Sequence, residues 1–363
     1  MQKAHSASET VFACFFNGKY LIAGYGRGEY LCHTGRQMAQ EDSSTSESRY
    51  ILQDMMTSPQ EWTPTDRLAV HATTGYYNLS RCMPLSAWIG LGRGIGVMLY
   101  LLARNHRRIA AANLRFAFGQ EVPEGQINRM VRDNFKQFGM IGQEFLKLRL
   151  PPAGLAAYVD EAIRVEGEEH LLAARAKSRS VILMGAHFGN WEFGQLYYAR
   201  HFNRLNFIVR RFDNPLLENL RYRYNAEQGV NILYKENGLR EAIQRLKQGE
   251  DLVILVDQNA NRREGINSSF FGHPTTSLHI APSLAQKYRL PLVPMFTVRE
   301  KDCRRHRLVF LPEIPIEYGE MKEDIETLTR RQNERIEEIV TRFPDHWLWF
   351  HRKWKVDYPE IYR

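Results

Sequence analysis

The sequence predicts an α/β protein with a mainly parallel or mixed central sheet flanked by helices and with an N-terminal helical region. Beyond residue 160, short apolar runs alternate with segments of helical periodicity, as expected for strands joined by crossover helices. Between residues 84 and 149, apolar residues recur at helical spacing. The chain has 363 residues, of which 44% are hydrophobic, which suffices for one large domain or two modest ones.

We expect three regions along the chain. Residues 1–80 contain scattered Gly, Ser and Thr and a polar run at residues 40–49, so we predict a poorly structured extension there. Residues 81–150 are predicted to be helical, with an apolar and basic segment at 84–118 and an amphipathic segment at 124–149. Residues 151–363 form the predicted α/β domain.

The α/β domain is predicted to contain five strands joined by helices. The strands are predicted at residues 181–184, 206–209, 251–256, 292–298 and 307–311. The helices are predicted at residues 191–201, 214–228, 237–248, 278–288 and 322–342. Parallel strands bring their carboxyl ends to one edge of the sheet, which is where open α/β sheets bind ligands.

The first of these strands is followed closely by the sequence His187-Phe-Gly-Asn-Trp-Glu192. Imidazole exchanges a proton near neutral pH, and a carboxylate can orient it and strengthen it as a base. Gly189 and Asn190 favour a turn into a helix, whose amino end offers backbone N–H groups to an oxyanion or substrate. The alternative interpretation is a structural hydrogen-bonded pair beside a helix start. No Cys or second His stands nearby at metal-ligand spacing, so we expect neither a metal nor another cofactor.

Further polar groups follow the second and third strands. Arg210 comes after the second strand and is suited to an oxyanion, a phosphate or a surface charge role. Asp257 and Gln258 come after the third, where substrate contact and capping of the strand end are both reasonable. Near the end of the chain, aromatic and basic residues interleave, as in a membrane headgroup or phosphate contact. The residues of this last group are Trp349, His351, Arg352 and Lys353.

The charge distribution favours an acidic partner. The net charge is +8, but residues 1–80 hold six Lys/Arg against eight Asp/Glu, which leaves +10 for the rest of the chain. Nucleic acid, an anionic membrane, a phosphorylated substrate and an acidic carrier protein all fit this charge. The apolar stretch at 84–102 is interrupted by Arg93 and by glycines, so we interpret it as an interfacial or packing helix rather than a membrane span.

Together, the His-x4-Glu block, the Arg210 block, the Asp257-Gln258 block and the terminal Trp-rich block resemble the late acyltransferases of lipid A biosynthesis, the lauroyl/myristoyl transferase family. The similarity covers roughly residues 84–357, with the blocks in the family's order. The resemblance implies transfer of a fatty acyl group from acyl carrier protein to a hydroxyl of a Kdo-bearing lipid A precursor. It also implies His187 as the general base, Glu192 as its acidic partner, and no covalent acyl-enzyme intermediate.

The resemblance narrows the partners to acyl carrier protein, a glycolipid acceptor and an anionic membrane surface, and it argues against nucleic acid. Members of the family usually have a hydrophobic anchoring helix before the region matching residues 84–118, where this chain is polar. We therefore expect peripheral or monotopic attachment to the cytoplasmic face of the inner membrane. Two alternatives remain: an acyltransferase for another glycolipid or aminolipid, and a noncatalytic lipid-binding relative.

Overall fold

The structure is a computed structural model in which the described residues are 83–119, 122–148, 155–211, 228–235, 237–263, 265–317 and 324–363, with residues 75, 76, 79, 222, 225 and 226. The predicted extension at 1–80 lies almost wholly outside this set. Most of the predicted helix at 214–228 lies outside it too.

Three long helices open the described chain, and six more follow. The first three are α1 (Leu85–Leu102), α2 (Arg104–Phe118) and α3 (Glu124–Leu148). The later ones are α4 (Leu155–Ala162), α5 (Glu168–Lys177), α6 (Trp191–His201), α7 (Gly238–Lys247), α8 (Ile280–Tyr288) and α9 (Ile325–Arg342). Short 3-10 turns at Pro344–His346 and Pro359–Tyr362 lie in the C-terminal segment.

Nine strands are described, seven of them in one sheet. They are β1 (Ile163–Glu166), β2 (Ile182–Gly185), β3 (Leu205–Val209), β4 (Val230–Tyr234), β5 (Asp251–Leu255), β6 (Gly265–Phe270), β7 (His273–Leu278), β8 (Leu292–Arg299) and β9 (His306–Phe310). The sheet order is β1-β9-β8-β2-β5-β3-β4, and β6 and β7 form a separate hairpin. The neighbours in the large sheet are parallel except β8 and β9.

The predicted fold class is confirmed. Each of the five predicted strands is present within one residue of its predicted ends. Four strands were not predicted: β1, β4, β6 and β7. Strand β1 has four residues and follows α4 without a break, while Asn and Ser interrupt the apolar pattern of β4 and β6, so neither periodicity nor length distinguished them.

The N-terminal helices share one core with the sheet. Phe135 and Phe138 of α3 belong to the same buried cluster as Met184 of β2 and Ile254 of β5. Glycines allow α1 and α3 to approach closely: a Cβ added at Gly96 would lie 2.4 Å from the carbonyl oxygen of Phe135. This packing places α3 directly behind the edge of the sheet at which β2 and β5 end.

Helix α1 is apolar on its outer side as well. Among the described residues it is long and apolar enough to cross a membrane by length and composition, and 28% of it is buried inside the protein. Its exposed apolar side chains are Leu91, Met98, Leu101 and Leu102, which are 36–60% exposed.

Candidate active site

His187 and Asp257 meet at the carboxyl edge of the sheet. Strands β2 and β5 are parallel neighbours with Gly185 opposite Leu255, so the two residues that follow these strands lie side by side. The His187 Nδ1 lies 2.9 Å from the Asp257 Oδ1, and the His187 backbone N–H donates to the Asp257 Oδ2 over 3.1 Å. The carboxylate therefore holds both the ring and the backbone of the histidine.

The contact with Asp257 determines the tautomer of His187. Burial raises the pKa of Asp257, but the charge of His187 and hydrogen bonds from His187 and Trp347 outweigh it and lower the pKa to about 2. An ionised carboxylate can only accept hydrogen bonds, so the neutral ring carries its proton on Nδ1. The basic lone pair is then on Nε2, the atom that faces away from Asp257.

The surroundings of the His187 Nε2 leave access to a substrate. The side chain of His187 is 21% exposed, and the Gln258 amide nitrogen lies 3.4 Å from its Nε2. The indole of Trp191 packs edge-on against the imidazole, with ring centroids 5.1 Å apart. A hydroxyl that displaces the weak Gln258 contact would lie within reach of the base.

Trp347 lies at the site, whereas the sequence suggested only a membrane or phosphate contact for the terminal block to which it belongs. Its indole Nε1 donates to the Asp257 Oδ2 over 2.8 Å, and the next residue, Leu348, donates its N–H to the carbonyl of His187. The Trp-rich composition of this block was visible in the sequence. Its hydrogen bond to the Asp257 carboxylate spans 90 residues of sequence, a separation that no local pattern records.

The acidic partner of His187 differs from the prediction. Glu192 was expected to orient the ring, whereas the carboxylate on Nδ1 is that of Asp257. The reason is geometric: Glu192 lies in the first turn of α6, half-buried, and strand pairing has already brought Asp257 to the ring. A catalytic role for Glu192 stays a prediction.

The expected contribution of the Gly189-Asn190 turn also needs correction. The Gly189 N–H, predicted to bind an oxyanion, donates to the carbonyl of His346 over 2.9 Å. The Asn190 side chain is 5% exposed, accepts the N–H of Phe193 as the cap of α6, and donates to Glu144. The Gly189 N–H and the Asn190 side chain are used to hold the turn, because the C-terminal segment and α3 pack against it. The backbone N–H of Asn190 stays a predicted donor to an oxyanion.

Arg210 lies at the same edge of the sheet. It is exposed and follows β3 directly, and β3 is the neighbour of β5. Its neighbour Arg211 stacks on Tyr234, with the guanidinium 3.5 Å from the ring centroid. The parallel strands thus place Arg210 at the edge of the sheet that carries His187 and Asp257. Its role in binding an oxyanion or phosphate stays a prediction.

The terminal basic-aromatic block is mostly internal. Trp349 and Lys353 are 0% exposed, so the predicted membrane or phosphate contact is wrong for these two side chains, which fill the core. His351 is half-buried and accepts the N–H of Asn259 on its Nε2, and burial lowers its pKa to about 4. Arg352 is exposed, and its contact with a membrane or phosphate stays a prediction.

Comparison with known proteins identifies relatives over most of the chain. A family model described as bacterial lipid A biosynthesis acyltransferase matches residues 59–356. A lipid A biosynthesis lauroyltransferase of Escherichia coli (strain K12) is 25% identical over 275 residues, which cover 75% of this chain and 87% of that protein. A lipid A biosynthesis palmitoleoyltransferase of the same strain is 26% identical over 282 residues, with 75% and 86% coverage. A lipid A biosynthesis acyltransferase of Haemophilus influenzae is 24% identical over 286 residues, with 76% and 86% coverage.

Proposed function

Because this chain belongs to the bacterial lipid A biosynthesis acyltransferase family, we propose that it transfers a fatty acyl group from acyl carrier protein to a hydroxyl of a Kdo-bearing lipid A precursor. One observation carries this proposal: a partly exposed His187 whose ring is oriented by a buried, ionised Asp257 at the carboxyl edge of the sheet, with Nε2 directed away from that carboxylate. This arrangement provides a general base that can act on a hydroxyl.

The proposed reaction uses His187 twice. Its Nε2 removes the proton of the acceptor hydroxyl while that oxygen attacks the thioester carbonyl carbon of the donor. The tetrahedral intermediate collapses with cleavage of the carbon–sulfur bond, and the thiolate of the carrier departs. The imidazolium then returns its proton to the thiolate, which balances the reaction without an acyl-enzyme intermediate. Asp257 stabilises the imidazolium in the interval.

Arg210 is the proposed electrostatic partner of the intermediate. A positively charged donor aimed at a developing oxyanion in a site with little water is worth a few kcal/mol. We do not assign oxyanion binding to the Gly189 N–H, because it already donates to the His346 carbonyl. Exposed Arg352 would contribute at the rim, where phosphate groups of the acceptor or of the membrane approach.

Attachment to the membrane is proposed to occur through α1. Its exposed apolar side chains Leu91, Met98, Leu101 and Leu102 would enter the boundary between headgroups and acyl chains, while its buried side packs on α3. An amphipathic helix combined with basic surface charge suffices for such binding. We therefore propose peripheral or monotopic attachment at the cytoplasmic face of the inner membrane.

The test is acyl transfer with defined substrates. Purified protein in mixed micelles receives carrier protein loaded with a lauroyl, myristoyl or palmitoleoyl group and a Kdo-bearing lipid A precursor, and mass spectrometry records the product. We expect one added acyl group with the parent chain and at least a thousandfold slower transfer with His187→Ala. His201→Ala is the matched control, because His201 pairs with Asp160 on another surface and should leave the rate within twofold.

Three other outcomes would change different parts of the proposal. Transfer only to other membrane lipids would replace the acceptor and support the alternative glycolipid or aminolipid reading. Lipid binding without transfer, unchanged by His187→Ala, would overturn the enzyme proposal in favour of a noncatalytic relative. Equal transfer by His187→Ala and the parent would overturn the mechanism alone.

A further inference from the structure

A fully buried ion pair lies behind the turn that joins His187 to Glu192. The side chains of Glu144 on α3 and Arg299 at the end of β8 are 0% and 2% exposed. The guanidinium grips the carboxylate in a bidentate manner, with the Arg299 Nη1 2.7 Å from the Glu144 Oε1 and the Nη2 on the Oε2. His306 Nε2 lies 3.2 Å from the same Oε1. The proposed reaction uses none of these three groups.

The pair is connected to the active-site turn by one side chain. Asn190 donates its Nδ2 to the Glu144 Oε2 over 2.8 Å and accepts the Phe193 N–H on its Oδ1 over 3.2 Å. Asn190 is thereby the cap of α6, the helix whose first turn contains Glu192. Glu144 is the acceptor that orients the amide of this cap.

The backbone of β8 holds the other half of the turn. The Arg299 N–H donates to the His346 Nε2 over 3.0 Å, and the His346 carbonyl accepts the Gly189 N–H. Gly189 has φ +54°, and a Cβ added there would lie 1.7 Å from the carbonyl oxygen of Thr297. The turn therefore packs against β8 and the C-terminal segment, and Glu144 of α3 binds it through Asn190.

Stability alone does not account for a buried ion pair at this place. Removing two charges from water is costly, and apolar side chains of similar volume are often equally or more stabilising. The pair keeps Glu144 charged all the same: burial raises its pKa, but the charges and hydrogen bonds of Arg299 and His306 lower it to about 2. A charged acceptor makes a stronger and more directional hydrogen bond to Asn190 than a neutral one.

We propose that Glu144, neutralised by Arg299, is a positioning residue that fixes the Asn190 cap and thereby the relative placement of His187 and Glu192. The proposal rests on the proposed acyltransferase function for its kinetic consequence. Its structural consequence, a tighter turn at residues 188–193, is independent of any substrate. Helix α3 becomes part of the catalytic unit on this view.

The main variant replaces the pair by apolar side chains of similar shape, Glu144→Leu with Arg299→Met. It removes the acceptor of Asn190 without leaving a buried, unpaired charge. The matched control is Arg175→Met with Asp251→Leu, because Asp251 is also buried and paired with Arg175 but lies at the opposite end of β5. At a temperature where circular dichroism shows both folded, we expect kcat to fall at least tenfold in the first variant with KM within twofold, and less than threefold in the control.

A cycle with Asn190→Ser tests whether Glu144 acts through Asn190. Serine keeps the helix cap but lacks the amide donor. If the proposal is correct, adding Asn190→Ser to the pair variant slows it no further, because both changes break one contact. Losses that multiply would overturn the proposal. If the pair variant does not fold, Glu144→Gln replaces it in the cycle with Asn190→Ser. The amide N–H2 group of the glutamine would face a donor of either Asn190 or Arg299 and so weaken one of these contacts. Losses of kcat that multiply in this second cycle would also overturn the proposal.

Hydrogen exchange separates failure of this proposal from failure of the proposed function. We expect the peptide covering residues 188–196 to exchange at least tenfold faster in the pair variant and to be unchanged in the control. This result would support the positioning role even if the parent chain transfers no acyl group to the lipid A precursor. Unchanged exchange, or a loss of kcat in the control equal to that in the pair variant, would overturn the positioning role.

Discussion

The role of Asp257 makes the sharpest prediction, through the substitution Asp257→Asn. The carboxylate Oδ2 accepts two donors, the His187 backbone N–H and the Trp347 indole N–H, while Oδ1 faces the imidazole Nδ1. An asparagine must therefore place its oxygen where Oδ2 was, because an amide N–H2 group there would oppose two donors. Its N–H2 group then points at the His187 Nδ1.

This orientation reverses the tautomer of His187. Facing an amide donor, Nδ1 becomes the acceptor and the proton moves to Nε2, the atom that should act as the base. In a Ser-His-Asp protease, the corresponding change of tautomer lowers kcat by about 10⁴. We expect a fall of about 10³ to 10⁴ in this chain, or ~4 to 5.5 kcal/mol in the activation free energy. KM should change little, because Asp257 is 3% exposed and both its carboxylate oxygens are already held by His187 and Trp347.

The assay combines kinetics with a direct observation of the tautomer. Initial rates of acyl transfer are measured for the parent, Asp257→Asn, Glu192→Gln and the control Asp251→Asn, which makes the same substitution at the buried start of the same strand. Nitrogen chemical shifts of labelled His187 report which ring nitrogen carries the proton. A rate for Asp257→Asn within tenfold of the parent, or an unchanged tautomer, would refute the reasoning.

Three further substitutions test the same site. Trp347→Phe removes the indole donor to the Asp257 carboxylate and should lower the free energy of unfolding by about 1.5 to 3 kcal/mol in urea titrations. The control Trp354→Phe should lower it less, because the buried indole nitrogen of Trp354 has no hydrogen-bond partner to lose. Gly189→Ala combines a left-handed φ with a clash against Thr297 and should lower the free energy of unfolding by about 2 to 4 kcal/mol, measured by thermal unfolding. The control Gly119→Ala has φ +72° but open space around the new Cβ, so it should lose only the backbone strain. Equal losses of stability in the two variants would contradict the clash. Burial lowers the pKa of Lys353 from 10.5 to about 8. Between pH 8 and 10.5 the unfolded chain keeps this proton and the folded chain loses it, so the free energy of unfolding should rise with pH across that window. Lys353→Met should abolish the rise, and a flat profile for the parent would disprove the prediction.

The strongest local patterns in the chain predicted most of the fold. The apolar runs that became β2, β5 and β8 are long enough, and sufficiently bounded by Gly, Asp, Pro or charged residues, to identify buried strands. His187 could be placed at a strand end because the run before it stops at Gly185. Short or polar strands such as β1 and β4 escaped prediction, since their residues satisfy no single periodicity.

The partners within the site were harder to predict than its members. Asp257 and His187 were both selected as candidates, but the sequence favoured Glu192 as the acidic partner because it is close along the chain. The order of strands in the sheet is a property of long-range packing, and it makes β5 the neighbour of β2. The same holds for Glu144, which is 46 residues from Asn190 along the chain and 2.8 Å from it in space.

Sequence alone determined the chemistry that the chain offers: a histidine at a strand end, carboxylates and an arginine after parallel strands, and the family in which these blocks occur together. Only the tertiary structure decided which groups pair. Side-chain type and spacing are local properties, whereas a hydrogen bond needs two atoms within about 3 Å, and that distance depends on how distant segments pack. Trp349 and Lys353 illustrate the difference, since their types suit a membrane surface and their packing places them in the core.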